Sequence, residues 1–278
     1  MAIVVGLFGA IFFIYQVVKK PSLALTIMFA LSLSAIQSHN LEKAISSSDR
    51  STTNIIRDVS RHPYETLTFF GIESDMTVIE LSPGGGWYTE ILANYIHYPG
   101  TLIAAHFNPK LGDYYAKSRK RFNNKMDSNP MYGRVELVNL DSGLAESNSV
   151  DAVITFRNLH NWLGPQMDLI FLNSYKALKP GGIFGVVEHR AKPGTSIEIM
   201  KKSGYVTEDL AIEIATKYGF QLVSKSEINA NPKDTKDYKK GVWTLPPSFR
   251  LKEEDRQKYA LIGESDRMTL LFTKPKHQ

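Results

Sequence analysis

The sequence predicts a doubly wound α/β fold in which most strands of the sheet run parallel. Short apolar runs alternate with longer amphipathic runs between residues 77 and 228, which is the pattern of strands joined by helical crossovers. A glycine-rich turn follows the first apolar run, as at the ligand-binding strand end of such sheets. The length of 278 residues, of which 43% are hydrophobic and 22% charged, suits one such domain with extensions.

The composition excludes several classes of site. The chain has no cysteine, so disulfides, thiolate metal sites and cysteine nucleophiles are excluded. Its formal net charge of +5 is spread along the chain rather than gathered in blocks, so no nucleic-acid partner is expected. The histidines are isolated and show no metal-ligand spacing, so no metal is expected.

Residues 1–37 predict a signal peptide or a membrane anchor. Two apolar stretches, 2–18 and 22–35, flank Lys19-Lys20-Pro21, and each is short for a membrane span of about 20 residues. The second stretch has the secretory layout of basic residues, an apolar core and small residues near its end. A valine codon just before Lys19 is an alternative start, in which case residues 1–17 are not part of the native protein.

We expect residues 38–278 to lie outside the cytoplasm, either in the periplasm after cleavage or anchored there through the N-terminal segment. The alternative is an uncleaved anchor that holds the domain on the cytoplasmic face of the membrane. In both cases we expect the membrane to be contacted only through the N-terminal segment.

The secondary-structure elements of the body follow in order. Residues 54–70 predict helical pieces that break at His62-Pro63, because proline disfavours the helical conformation of the residue before it. Thr207 is the expected cap of the last long helix. Strands are predicted at 77–81, 101–105, 135–138, 150–156, 183–188, 220–228 and 268–273, and helices at 87–96, 110–122, 166–178 and 207–218. Residues 229–266 are too long for a hairpin loop and predict an insertion or a lid.

The glycine turn between the first strand and the first long helix admits three interpretations. A dinucleotide site needs a third spaced glycine and a later acid, but Thr89 and His106 stand at those positions. A site for S-adenosyl-L-methionine (SAM) has an acid followed by alternate glycines, and with one glycine replaced by serine it matches Glu80, Ser82, Gly84 and Gly86. The third interpretation is a turn that only reverses the chain.

Motifs along the whole body resemble those of the Rossmann-like, class I SAM-dependent methyltransferases, and most closely those of a bacterial group of often exported methyltransferases. The similarity covers about residues 57–275. It rests on Arg57-Asp-Val-Ser-Arg-His-Pro63, Glu65-Thr-Leu with Phe69-Phe-Gly71, Pro83-Gly-Gly-Gly-Trp-Tyr-Thr-Glu90, Arg157-Asn-Leu-His-Asn-Trp162, Leu178-Lys-Pro-Gly-Gly182, Glu188-His-Arg-Ala191 and Ser265-Asp-Arg-Met268. The resemblance implies a seven-stranded sheet whose last strand is antiparallel, and SAM as the cofactor.

The resemblance also implies which residues contact the cofactor. The methionine part of SAM would be held by Glu80, Ser82, Gly84 and Gly86. His106 stands where these enzymes usually have an acid for the ribose hydroxyls, so Asn108 is an alternative ribose contact. Asp141 stands where the adenine amine is often contacted, although a turn-forming aspartate is the alternative. Arg157 and Asn158 reach the rim of the site from the fourth strand.

Two histidines are candidate catalytic bases. His160 follows the fourth strand and His189 the fifth, so both are expected at one mouth of the site, although each can instead be a structural histidine. The predicted function is transfer of a methyl group from SAM to a small-molecule or envelope acceptor. The alternatives are a non-catalytic ligand-binding protein on the same scaffold and an NAD-dependent oxidoreductase.

Overall fold

A seven-stranded sheet forms the centre of the computed structural model, which describes residues 41–276. The strands are β1 Thr77–Leu81, β2 Thr101–His106, β3 Val135–Asn139, β4 Val150–Phe156, β5 Leu178–His189, β6 Gln221–Ser226 and β7 Arg267–Thr273. Their order across the sheet is β3-β2-β1-β4-β5-β7-β6. The first five strands run parallel, whereas β7 is antiparallel to both β5 and β6. The predicted mostly parallel sheet with an antiparallel last strand is therefore confirmed.

The helices connect these strands within a compact unit that spans Lys43–Gln278. The described helices after residue 51 are α1 Thr52–Ile55, α2 Asp58–Arg61, α3 Pro63–Phe69, α4 Trp87–Tyr95, α5 Asp113–Met126, α6 Leu159–Trp162, α7 Pro165–Ala177, α8 Ile197–Ser203, α9 Glu208–Lys217 and α10 Arg256–Ile262. The predicted break at His62 separates α2 from α3, and His62 adopts a left-handed φ of 43° there. The Thr207 hydroxyl caps α9 by accepting the N–H of Leu210 at 3.3 Å, as predicted.

Some boundaries and short helices differ from the prediction. The helix predicted at 110–122 begins at Asp113 instead, because Pro109–Leu111 forms a separate turn of 3-10 helix and Gly112 follows it with a φ of 135°. The short helices α6, α8 and α10 were not predicted from the sequence, since four to seven residues contain too few helical turns to produce a clear apolar period.

The central strands are apolar because both of their faces are covered. All residues of β1 after Thr77 are buried, and Val153 and Ile154 of β4 are fully inaccessible to solvent. Parallel sheets with helices on both faces require such continuous apolar strands. Trp87 and Tyr88 also pack into the core, where the Tyr88 ring stacks on Phe156 with centroids 3.5 Å apart.

The direction of the strands places the candidate site residues at one edge of the sheet. Strands β1 to β5 all end at this edge, and β7 begins there because it runs in the opposite direction. The residues that follow or close these strands are therefore neighbours in space. This edge carries the glycine turn, His106, Asp141, Arg157, His189 and Arg267.

Residues 229–266 fold against the domain through buried polar contacts. The Asn229 side-chain amide donates to the hydroxyls of Thr66 and Thr269, each at 3.0 Å. The buried Asp234 carboxylate accepts from the Tyr205 hydroxyl at 3.0 Å and from the Asp266 N–H at 2.8 Å. Such contacts hold the ends of the segment against the sheet edge.

Across residues 41–276, every helix is too short or too polar to cross a membrane. The predicted signal peptide or anchor, residues 1–37, lies outside the described residues.

Candidate active site

The turn after β1 exposes backbone to a ligand. Ser82, Gly84 and Gly86 have φ values of 49°, 61° and 77°, in the left-handed region that glycine adopts most readily. A Cβ atom placed on Gly84 would meet no atom of the described chain within 4 Å, so this side of the turn faces open space. The turn leads directly into the N-terminus of α4. A ligand can therefore lie directly against the main chain here.

Glu80 places a buried carboxylate beside the turn. It is 2% exposed, and its Oε2 accepts from the Thr89 hydroxyl at 2.5 Å. Burial raises the pKa of Glu80 to about 7, although the Thr89 hydrogen bond and the charge of Lys125 oppose the rise. A cationic ligand group placed beside this carboxylate would favour its ionised form. Thr89 stands where a dinucleotide site has its third glycine, and its hydroxyl instead donates a hydrogen bond to Glu80.

Two polar atoms just after β1 and β3 are buried without a hydrogen-bond partner among the described residues. They are the Ser82 hydroxyl and Oδ1 of Asp141. The other Asp141 oxygen accepts from the Asn108 side-chain amide at 3.0 Å, so Asn108 and Asp141 lie side by side. Buried polar atoms normally have partners, so an unsatisfied acceptor and hydroxyl here fit a ligand with amino and hydroxyl groups. The residues present thus fit the amino acid and nucleoside parts of SAM.

His106 supports the turn through both of its ring nitrogens. Its Nδ1 accepts the Phe107 N–H at 2.8 Å, which leaves Nε2 as the donor to the Gly84 carbonyl at 3.3 Å. Burial lowers the pKa of His106 to about 4, so the ring is neutral near pH 7. Its contact with the ribose stays a prediction. In this structure the His106 ring supports the backbone at Gly84 through that hydrogen bond.

Asn158 joins the ends of β1 and β4. Its side-chain amide lies within 3.2 Å of the carbonyls of Leu81, Ser82 and Phe156. Arg157 precedes it with a φ of 61°, and its N–H donates to the Val187 carbonyl at 2.7 Å. Asn158 therefore shapes the backbone of the turn, while Arg157 turns away from it toward a cavity.

That cavity lies beside the turn at the ends of β4 and β5. Its volume is about 210 Å³. Its wall includes Arg57, Arg157, His160, His189, Trp243 and Glu264. Trp243 belongs to the segment 229–266, so this segment forms one wall of the cavity. The two predicted histidines are thus brought together, with ring centroids 5.3 Å apart.

Glu188 orients the histidines. Its Oε1 lies 2.9 Å from His160 Nδ1 and accepts the His189 N–H at 2.7 Å, while its Oε2 accepts the Leu159 N–H at 2.5 Å. A carboxylate at Nδ1 favours the tautomer with the proton on that nitrogen, so Nε2 of His160 is left with the lone pair of a base. His189 Nδ1 lies 2.5 Å from the Ser265 hydroxyl. Burial, and then repulsion by His160 and by nearby arginines, lowers the pKa of His189 well below its usual value, so this ring is neutral.

Sequence reasoning missed several of these residues. The two histidines were predicted, but their grouping with Glu188 was not. Ligand-capable atoms of His160, Glu188 and His189 lie within 4.8 Å of one another, although their spacing in the sequence resembles no metal motif. In the sequence, Glu188 appeared only as the neighbour of His189, and no local pattern indicated its contact with His160. Glu264 and Trp243 come from the segment interpreted as an insertion or a lid, where no local pattern marks a site residue.

The comparisons with known proteins agree with this geometry. Residues 79–186 match a family model described as a methyltransferase domain. No curated protein sequence matches the chain significantly. A SAM-dependent methyltransferase from Aquifex aeolicus is 15% identical with a TM-score of 0.53, covering 83% of this chain and 96% of its own. A geranyl diphosphate methyltransferase in complex with SAM is 10% identical with a TM-score of 0.56, covering 84% and 94%. The cyclase SpnF is 14% identical with a TM-score of 0.57, covering 82% and 85%.

The structural neighbours establish the fold, and the family model covers the part of it that carries the glycine turn. The match of residues 79–186 to a methyltransferase domain identifies the chain as an enzyme with SAM as its cofactor, and the structural neighbours add the shared fold. The presence of a cyclase among the neighbours illustrates that the acceptor and its chemistry must be argued from the site rather than from the fold.

Proposed function

We propose that this protein transfers a methyl group from SAM, held at the glycine turn, to a small-molecule or envelope acceptor bound in the cavity beside it. The observation that carries the proposal is the position of Asn158. Its amide donates to the Ser82 carbonyl of the turn at 3.1 Å, while Arg157 and His160, on either side of it in the chain, line the cavity. The site for SAM and the site for the methyl acceptor therefore both lie at the ends of β1 and β4.

Each part of the turn suits one part of the cofactor. Glu80 is positioned to pair with the ammonium of the methionine part, and the unsatisfied Asp141 Oδ1 is positioned to accept from the adenine amine. Gly84 lets the main chain approach the ligand because no side chain intervenes. Bound SAM supplies a methyl group already activated on a sulfonium, which leaves as a neutral thioether.

The chain's own contribution is to position the acceptor and to take up its proton. Positioning two reactants in line supplies a large share of the rate in such displacements. A base is needed when the acceptor atom arrives protonated, and His160 Nε2 is available for this because Nδ1 is held by Glu188. His160 would take up the proton of the acceptor atom as that atom accepts the methyl group, and the electron pair of the sulfur–carbon bond would stay with the departing thioether.

The experiment uses the full-length chain. Calorimetry with SAM and with S-adenosylhomocysteine tests the cofactor site, and NADH serves as the competing ligand. SAM labelled in its methyl group is then incubated with the protein and with separate small-molecule and envelope extracts of the source cells. We expect binding of both sulfur nucleosides and transfer of label into one extract. Binding of NADH alone, or binding without transfer to either extract, would contradict the proposal.

The base is tested with a matched pair of variants. Glu188→Gln removes the charge that stabilises protonated His160 and places an amide donor against groups that donate to Glu188, so we expect kcat to fall by about 10²- to 10⁴-fold with little change in SAM affinity. Glu213→Gln changes an exposed glutamate on α9 and should leave kcat unchanged. Equal kcat values in the two variants would show that transfer does not use this base.

We also propose that the enzyme acts outside the cytoplasm, in the periplasm or anchored to the membrane by its N-terminus. The support is the secretory layout of residues 22–35. N-terminal sequencing of the mature protein from fractionated cells tests this. A mature N-terminus near residue 35 in the periplasm is expected after cleavage, and an intact anchor with a protease-accessible domain is expected otherwise. An intact N-terminus with the domain protected inside would reject the proposal.

A further inference from the structure

Four arginines surround a single carboxylate behind the cavity. Within the described residues, Glu264 is 8% exposed and has Arg57, Arg61, Arg157 and Arg267 around it. Its Oε1 lies 2.7 Å from Arg57, whereas its Oε2 lies 3.6 Å from Arg61, 3.8 Å from Arg157 and 3.5 Å from Arg267. These distances describe one close ion pair and three loose ones. The cluster therefore holds more positive charge than Glu264 neutralises.

Three of these arginines are fixed in place by a hydrogen bond or by packing on a ring. Arg57 donates to Glu264 through Nε at 2.7 Å. Arg61 lies over the Trp87 ring, 4.5 Å from its centroid, and its buried Nε has no hydrogen-bond partner in the described chain. Arg267 donates to the carbonyls of Ser265 and Ser60.

Among the four, and within the described residues, Arg157 is the one that lines the cavity with a guanidinium that has neither a hydrogen bond nor a ring contact. Over residues 41–276, its guanidinium makes no hydrogen bond, and the Glu264 oxygen at 3.8 Å is its ion-pair partner. The Arg157 side chain is nevertheless only 23% exposed, and the residue lines the cavity. Burial lowers the pKa of Arg157 to about 10, with Glu264 opposing and the other arginines adding to the effect, so the group remains charged near pH 7. A partly buried guanidinium without hydrogen bonds is poorly solvated, and an anionic ligand in the cavity would complete it.

We propose that the methyl acceptor carries an oxyanion, a carboxylate or a phosphate, which the Arg157 guanidinium binds inside the cavity with the help of Arg57. This inference rests on the proposed function, because it names the class of acceptor for the same site. A guanidinium presents paired N–H donors that match the two oxygens of a carboxylate or a phosphate. The anion anchors the acceptor, and its reacting atom lies toward His160.

The rest of the cavity wall limits the size and shape of the acceptor. The volume of about 210 Å³ is smaller than the roughly 300–1,000 Å³ of typical ligand pockets, so it suits a small molecule or the head of a larger one. Trp243, Pro246 and Pro247 form an apolar wall from the segment 229–266. An aromatic or other planar acid fits between this wall and the arginines.

The test measures anion binding to the full-length chain saturated with S-adenosylhomocysteine. The probes are benzoate, its neutral analogue benzamide, and inorganic phosphate, each titrated by calorimetry. Sedimentation with vesicles of phosphatidylglycerol, compared with vesicles of phosphatidylcholine, tests an anionic group carried on a lipid. We expect an anion, free or lipid-borne, to bind while benzamide does not. Binding of free anions indicates a soluble acceptor, and binding only to phosphatidylglycerol indicates an envelope lipid.

Variants separate the cavity from general electrostatic attraction. Arg157→Gln should weaken anion binding by about tenfold to a hundredfold, and Arg157→Lys, which keeps the charge but not the paired donors, should lie between it and the wild type. Arg121→Gln removes an exposed arginine of α5 and should bind anions like the wild type. Equal losses in Arg157→Gln and Arg121→Gln, equal binding of benzamide and benzoate, or no anion binding at all would overturn the inference.

The affinity for S-adenosylhomocysteine, measured on the same samples, identifies which proposal has failed. If the wild type binds this nucleoside but no anion, the acceptor class is wrong while the proposed cofactor site stands. If the wild type does not bind the nucleoside, the proposed function itself fails. Retained nucleoside affinity in both Arg157 variants shows that they are folded.

Discussion

Replacing Glu80 with glutamine should stabilise the folded protein while weakening its hold on SAM. The carboxylate is buried beneath the glycine turn, and burial raises its pKa to about 7 from 4.5. The folded protein therefore loses this proton at a higher pH than the unfolded chain does, so ionisation of Glu80 opposes folding as the pH rises from about 4.5 to about 7. Well below pH 4.5 the group is neutral in both states and has no such effect.

The size of the effect follows from the pKa difference. At about 1.4 kcal/mol per pKa unit, a rise from 4.5 to about 7 corresponds to about 3 kcal/mol of unfolding free energy lost by pH 8. Glutamine is never ionised, and its carbonyl can still accept from the Thr89 hydroxyl. The Glu80→Gln variant should therefore exceed the wild type in unfolding free energy by about 3 kcal/mol at pH 8 and by a few tenths at pH 4.

Urea unfolding of both proteins, followed by circular dichroism from pH 4 to pH 8, measures this difference. Glu213→Gln is the matched control, because its exposed carboxylate should give no pH-dependent difference. In the same pH series, the affinity of the wild type for SAM should fall about tenfold per pH unit below pH 7, since the ionised carboxylate pairs with the ammonium. A stability difference that does not grow with pH would refute the burial argument. If the Glu80→Gln variant binds SAM as tightly as the wild type does, the proposed pairing of Glu80 with the ammonium of SAM is refuted.

Two further predictions concern the glycine turn and the third strand end. Gly84→Val should abolish SAM binding while the circular dichroism spectrum stays native. The valine side chain would enter the open space where the ligand lies, and the φ of 61° at this position disfavours a branched residue. Measurable SAM affinity in this variant would place the cofactor elsewhere. Asp141→Asn should weaken SAM binding by about tenfold, because an amide replaces the unsatisfied acceptor Oδ1, whereas Asp127→Asn on the exposed end of α5 should bind normally. Calorimetry with SAM checks both, and equal affinities of the two Asp→Asn variants would contradict an adenine contact.

Much of the fold was determined by the sequence itself. The mostly apolar runs Thr77–Leu81 and Val150–Phe156 predicted strands with the observed ends, because strands covered on both faces are mostly apolar. The glycine turn after β1 also marked the cofactor edge correctly as a strand-to-helix turn, since left-handed backbone at Gly84 and Gly86 needs residues without a side chain. These features depend on neighbours in the chain, which a sequence pattern records directly.

The acceptor cavity was decided only by the tertiary structure. Arg157, Glu264 and Trp243 come from distant parts of the sequence, and they meet because β4 ends at the edge where β7 begins. The role of Glu188 was likewise hidden, because its contact with His160 depends on β4 and β5 lying side by side in the sheet. For His106, a predicted cofactor contact, only the tertiary structure shows that both ring nitrogens hydrogen-bond to neighbouring backbone. Charge balance and hydrogen-bond satisfaction are properties of groups brought together in space, so the order of residues along the chain does not encode them locally.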